Sequence, residues 1–137
     1  MDRRLFFLMN MAQRKLYRHA DTVCEETTGA SMTQMAALMY VVAQPGCLQK
    51  DLAASLMLNK SAVTGLVERM AANDLLERTA SVTDARAVIL NATEAGKAKV
   101  AQMKPLISQL NTIFTDEFSD AEIDTVLRFF HFILKTF

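Results

Sequence analysis

The stretch from Leu48 to Gly96, LQKDLAASLMLNKSAVTGLVERMAANDLLERTASVTDARAVILNATEAG, constrains this chain more than any other. A short helix is predicted over about Leu48–Leu56. Met57-Leu58-Asn59 turns the chain, and Asn59 is a good N-cap for a second helix reaching about Asn73. Leu75–Ala80 and Ala87–Asn91 are too short for helices and read as two strands, with Ser81-Val-Thr-Asp84 between them. Two short helices on a tight turn, followed at once by a hairpin with Arg86 at its tip, are the plan of a winged helix-turn-helix. In that plan the second helix enters a DNA major groove and the hairpin touches the neighbouring backbone or minor groove.

The second helix has the shape this requires. Val63, Leu66, Val67 and Met70 form one apolar stripe. The opposite face is centred on Ser61, Gly65, Glu68 and Ala72, flanked by Ala62, Thr64 and Arg69. Small, hydroxylated residues in the first turns let a backbone approach base edges. Gly65 is the oddest of them, because a mid-helix glycine costs about 1 kcal/mol against alanine. Close approach to something would explain that cost. From helix spacing alone, residues 48–73 would equally serve as a hairpin in a helical bundle. The following wing decides for DNA. Asp84, two residues before Arg86, is placed to hold its guanidinium by a charge-assisted bond.

The remaining elements are helical. Apolar positions recur from Leu5 to Val23, and Ser31-Met-Thr-Gln34 is a capping-box signature for a helix that stops at Gln44-Pro45-Gly46. Thr93 caps a long helix in which Pro105 is expected to introduce a kink. Ser119-Asp-Ala-Glu122 opens the last helix. The predicted class is mainly α with a small β hairpin, in the order ααααββαα. Only four Gly and two Pro in 137 residues agree with long helices.

LNKSAVTGLVERMAANDLLER and DARAVILNATEAG resemble the recognition helix and wing signature of the MarR family of bacterial winged-helix regulators, and the likeness extends over nearly the whole chain. The resemblance implies residues 1–30 as a dimerisation helix, 31–96 as the DNA-binding lobe and 97–137 as dimerisation helices. It implies that Ser61 and Thr64 approach bases, that Lys60 and Arg69 approach phosphates, and that Arg86 enters the minor groove, with Gly65 on the same face. Family members bind small aromatic or phenolic ligands between the dimer helices and the lobe. Tyr17, Arg18, His19, Met35, Met39 and Tyr40 are the residues placed to line such a cleft. Departures are Gly65, where relatives carry a larger polar or basic residue, Asn73-Asp74 in place of a glycine turn, and Ala92 in place of leucine.

Six of the eight phenylalanines lie near the C-terminus, at 114, 118, 129, 130, 132 and 137. On the last helix they widen the apolar stripe beyond one core face, so a second surface is needed. A partner copy supplies it, with Leu5, Phe6, Phe118, Phe129, Phe130, Phe132 and Phe137 at the interface. The expected partners are double-stranded DNA on a near-palindromic site, a second copy of the chain and a small-molecule effector. The expected activity is that of a transcriptional regulator, a repressor, and not an enzyme.

Several classes are disfavoured. His19 and His131 sit in no ligand-spaced cluster, so no metal or cofactor is expected. The apolar run LFFLM is shorter than the roughly 7–15 residues of a signal peptide, and no stretch approaches the ~20 of a membrane span. A bacterial cytosolic or nucleoid protein is expected. Two readings compete. Cys24 and Cys47 offer a redox-sensing regulator. The net charge is zero, with 15 basic and 15 acidic residues. Within the lobe, Lys50, Lys60, Arg69, Arg78 and Arg86 are matched by Asp51, Glu68, Asp74, Glu77 and Asp84. That balance offers a protein-interaction module with little DNA affinity.

Overall fold

A computed structural model describes all of residues 1–137. The chain divides into Met1–Met103 and Lys104–Phe137.

The first unit opens with α1 (Leu5–Thr28), which ends where Gly29 takes a left-handed φ of 73° and donates its N–H to Glu25 O. That is the αL cap for which glycine is suited. α2 (Met32–Ala43) starts at Ser31, whose hydroxyl accepts from the Gln34 N–H at 3.1 Å. Only this half of the expected capping box forms. Asp21 of α1 takes a neighbouring orphan donor instead, accepting from the Met32 N–H at 2.7 Å.

Three strands and two short helices follow: β1 (Cys47–Leu48), α3 (Gln49–Ser55), α4 (Lys60–Ala72), β2 (Leu76–Ala80) and β3 (Val88–Ala92). The strands form one antiparallel sheet in the order β1-β3-β2. The predicted hairpin is correct, with Leu76 opposite Ala92 and Ala80 opposite Val88. The predicted order is refined by β1, where Cys47 and Leu48 pair with Leu90 and Ile89. A two-residue strand is too short to show alternation, so Leu48 reads as the start of the helix that follows it. Gly46, at φ 76°, makes the turn that delivers β1 to the sheet, and its N–H donates to Leu90 O at 3.0 Å.

The core of this unit joins Met35, Leu38 and Val41 of α2 to Leu52 of α3, the stripe Val63, Leu66, Val67 and Met70 of α4, and Leu90 of β3. Every apolar position predicted for α4 is buried. α5 (Glu94–Thr115) begins in this unit, with the Thr93 hydroxyl accepting from the Gly96 N–H at 3.0 Å. It carries Pro105 inside one continuous helical span.

In the second unit, α6 (Asp120–Thr136) follows α5 after a short turn. The Glu122 carboxylate accepts from the Ser119 N–H at 2.9 Å and from its hydroxyl at 2.8 Å. These bonds hold the carboxyl below its ordinary pKa. α6 buries none of its residues within the chain. No helix is long and apolar enough to cross a membrane.

Candidate nucleic-acid interface

The turn between α3 and α4 is tight because Met57 accepts a left-handed φ of 55° and the Leu58 N–H reaches back to Ala53 O at 2.9 Å. A non-glycine residue there is strained. Asn59 then caps α4, its side chain accepting from the Ala62 N–H at 2.8 Å. With one face of α4 in the core, Lys60, Ser61 and Arg69 are exposed, and Thr64 and Gly65 are half-buried. At the other end of α4, Asp74 takes the left-handed position (φ 58°) that glycine would be expected to fill. Aspartate tolerates that conformation better than most residues.

Thr64 is not a free hydroxyl. Its Oγ1 donates to Lys60 O at 2.8 Å and accepts from Gln49 Nε2 at 3.2 Å. Gln49, the first residue of α3, is a site residue that sequence reasoning missed. The only available signal was its place at the head of the helix that packs against α4.

The wing tip folds on its own side chains. Ser81 Oγ accepts from the N–H groups of Thr83 and Asp84, both at 3.3 Å. Asp84 Oδ1 accepts from the backbone N–H of Arg86 at 2.9 Å. The expected bond from Asp84 to the Arg86 guanidinium is therefore corrected. At two residues' separation the carboxylate meets the backbone first, as in other Asx turns. Asp84 shapes the loop that carries Arg86, and the guanidinium is left exposed.

Between α3, the start of α4 and the wing lies a groove of ≈ 720 Å³. Lys50, Lys60, Arg78 and Arg86 line it, against Asp84 as its one carboxylate, with Gln49 and Thr64 also in its wall. Asp51, Glu68, Asp74 and Glu77 lie outside it. The charges that cancel along the sequence are thus partly sorted in space, with Arg78 shared between the groove and Glu68, and their placement is what governs attraction of a polyanion. Of the predicted contacts, the groove gathers Lys60, Thr64, Asp84 and Arg86. Ser61, Gly65 and Arg69 are on α4 but outside the groove wall. Glu68 approaches Arg78 at 3.8 Å, an exposed pair that contributes little to stability.

The chain's own packing does not require glycine at 65. A methyl group there would meet only the end of the Arg69 side chain, at 3.3 Å.

Residues 28–87 match the sequence model of the MarR family. Over this stretch the chain resembles the MarR family. A transcriptional regulatory protein for the hcr operon of Thauera aromatica is 24% identical over 123 residues, 90% of this chain and 74% of that protein. The fold superposes on S. aureus MepR in its DNA complex with a TM-score of 0.85, at 20% identity, covering 96% of each chain. It also superposes on Streptomyces coelicolor PcaV bound to its natural ligand, with a TM-score of 0.81 at 20% identity, covering 99% of this chain and 96% of that one. At such identities these two likenesses speak for the fold. The matched Thauera aromatica protein is a transcriptional regulator.

The other predicted sites are placed as follows. Tyr17, Arg18 and His19 are exposed on α1, and Met39 and Tyr40 are half-buried on α2. The Tyr17 hydroxyl shares a hydrogen bond with Thr33 Oγ1. Met35 is wholly buried in the core, so it backs this region and does not face outward. Leu5, Phe6, Phe118, Phe129, Phe130, Phe132 and Phe137 are all exposed within the single chain.

Neither cysteine has the environment of a reactive thiol. Cys24 is buried, 3.8 Å from Met103 Sδ and 3.7 Å from Thr28 Oγ1. Cys47 is half-buried on β1. Burial pushes both thiols above their ordinary pKa. Both therefore stay protonated at neutral pH, and the thiol is the poor nucleophile. With a disulfide reagent at pH 7, Cys47 is expected to react more slowly than a free thiol, and Cys24 only as the protein unfolds. Both rates should climb as pH rises toward the raised pKa. Fast labelling of either cysteine at pH 7 would count against this.

Proposed function

We propose that the chain is a homodimeric, sequence-specific DNA-binding repressor of the bacterial cytosol, acting on a near-palindromic site. The observation that carries this reading is the groove, with four cations and one carboxylate set between the recognition helix α4 and the wing. Lys60 and Arg69 are assigned to phosphates, Ser61 and Thr64 to base edges, and Arg86 to the minor groove. Gly65 fits close approach of α4 to DNA, since nothing within the chain demands it. The same sorting of charge disfavours the protein-interaction reading, which rested on a neutral lobe. The protonated thiols disfavour the redox reading.

Dimerisation is supported by α6, whose exposed Val126, Leu127, Phe129, Phe130, Phe132, Leu134 and Phe137 find no cover within the chain. Apolar surface of this extent marks an interaction site. Two copies would set two α4 helices about one DNA turn apart. An aromatic effector that releases DNA is assigned to the surface of Tyr17, Arg18, His19, Met39 and Tyr40, backed by Met35. PcaV, of the same fold, is known with its natural ligand.

Arg86→Ala is the direct test of the wing. Loss of a charge-assisted contact is expected to weaken binding about tenfold on every duplex. The slope of log K against log salt should flatten by about one unit for each arginine removed. Fluorescence anisotropy with the promoter region of the chain's own gene, across a salt series, reads both. A variant with wild-type affinity at every salt concentration would remove Arg86 from the interface.

A further inference from the structure

The hydrogen bonds around Thr64 fix more than its position. A threonine hydroxyl has one proton to give and two lone pairs. Here the proton goes to Lys60 O at 2.8 Å, and one lone pair takes the Gln49 amide N–H at 3.2 Å. What Thr64 can still offer a third group is a single acceptor. Gln49 maintains that state. Its NH2 end must face Thr64, because a hydroxyl already committed as donor can only accept from the amide. Both residues are half-buried and both line the basic groove, so the pair sits where α4 is proposed to meet DNA.

We infer that Gln49 is a positioning residue for base selection. By holding the Thr64 hydroxyl as an acceptor, it makes α4 favour adenine or cytosine over guanine or thymine at the base it faces. Adenine N6 and cytosine N4 present amino donors in the major groove, whereas guanine O6 and N7 and thymine O4 are acceptors. An acceptor-only hydroxyl bonds the first pair and is left facing lone pairs by the second. This rests on the DNA-binding reading above and adds a residue of α3 to it. Without Gln49 the hydroxyl is held by one bond only. It can then swing to donate to a keto oxygen, and the discrimination fades.

The experiment is selection of binding sites from a randomised duplex library with the full chain, followed by affinities on matched duplexes. Wild type is expected to show, in each half-site, a position preferring adenine or cytosine about tenfold over guanine or thymine. Gln49→Met, which keeps length and apolar bulk, is expected to cut that preference to about twofold with little change at other positions. Thr64→Val should abolish it, and Gln49→Met should then add nothing in the Thr64→Val background. Thr64→Ser, which keeps the hydroxyl, should preserve it. Melting curves establish that each variant is folded. If wild type binds specifically but Gln49→Met retains the full preference, or no such position exists, the inference is overturned while DNA binding stands. If folded wild type selects no sequence at all, the DNA-binding reading fails and takes the inference with it.

Discussion

Gly96→Ala is expected to destabilise the protein by about 3 kcal/mol or more, lowering the thermal midpoint by on the order of 10 °C. A methyl group at this position would lie 2.1 Å from Leu75 O and 3.1 Å from Leu38 Cδ1. The side chain of Leu38 can move, but the carbonyl cannot move cheaply. Leu75 O accepts from the Thr93 N–H at 3.2 Å, and the Leu75 N–H donates to Met70 O at 3.0 Å. The glycine is equally fixed, because its N–H is held by Thr93 Oγ1, which in turn donates to Asp74 O at 2.6 Å. Alanine would therefore have to separate α5 from the exit of α4 and break at least one of these bonds. Gly65→Ala is the matched control. There the obstructing atom is the end of the Arg69 side chain, which swings aside, and helix propensity favours alanine by up to about 1 kcal/mol. Thermal melts of both variants check the pair. A Gly96→Ala midpoint within 2 °C of wild type would show that the contact relaxes.

These two glycines mark where sequence reading reached and where it stopped. Gly96 was legible only as the end of DARAVILNATEAG, the stretch that resembles a wing signature, but its physical reason is a carbonyl twenty-one residues away, which no local pattern reveals. Gly65 was legible as an anomaly in a helix, and packing removes every internal explanation for it. The apolar stripe of α4, the Asn59 cap and the hairpin were readable because each rests on local periodicity or on a few adjacent residues. β1 was not, since two residues carry no period. The Asp84 assignment failed at the scale of single bonds, where a carboxylate chose a backbone N–H over the guanidinium beside it in sequence. Charge was legible only as a count. Counting gave a neutral lobe, whereas the fold turns Lys50 and Arg78 into the groove and leaves Asp51 and Glu77 out of it. Gln49 was invisible because its meaning depends on which side of Thr64 it meets.

Val126→Glu combined with Phe130→Glu is expected to convert a dimer into a folded monomer. The two positions lie one turn apart on α6 and are 46% and 47% exposed in the single chain, so nearly half of each is free for a partner and neither is part of the buried core. Glutamate is also a good helix former, so α6 itself should persist. The loss falls on the surface between copies. Two large apolar side chains from each protomer, each with about half its surface still to bury, amount to roughly 3–6 kcal/mol, before the cost of placing carboxylates in an apolar contact. Sedimentation at micromolar concentration should show wild type at twice 15.3 kDa and the variant at 15.3 kDa, with helical circular dichroism retained. Operator affinity should fall by a factor on the order of 100 or more, because each lobe then binds its half-site without the effective concentration that its partner supplied. Affinity for an isolated half-site should hardly change. That contrast separates dimerisation from damage to the lobe. A variant that remains a dimer would move the interface off this face of α6, and a wild type that sediments as a monomer would remove the second copy as its cover.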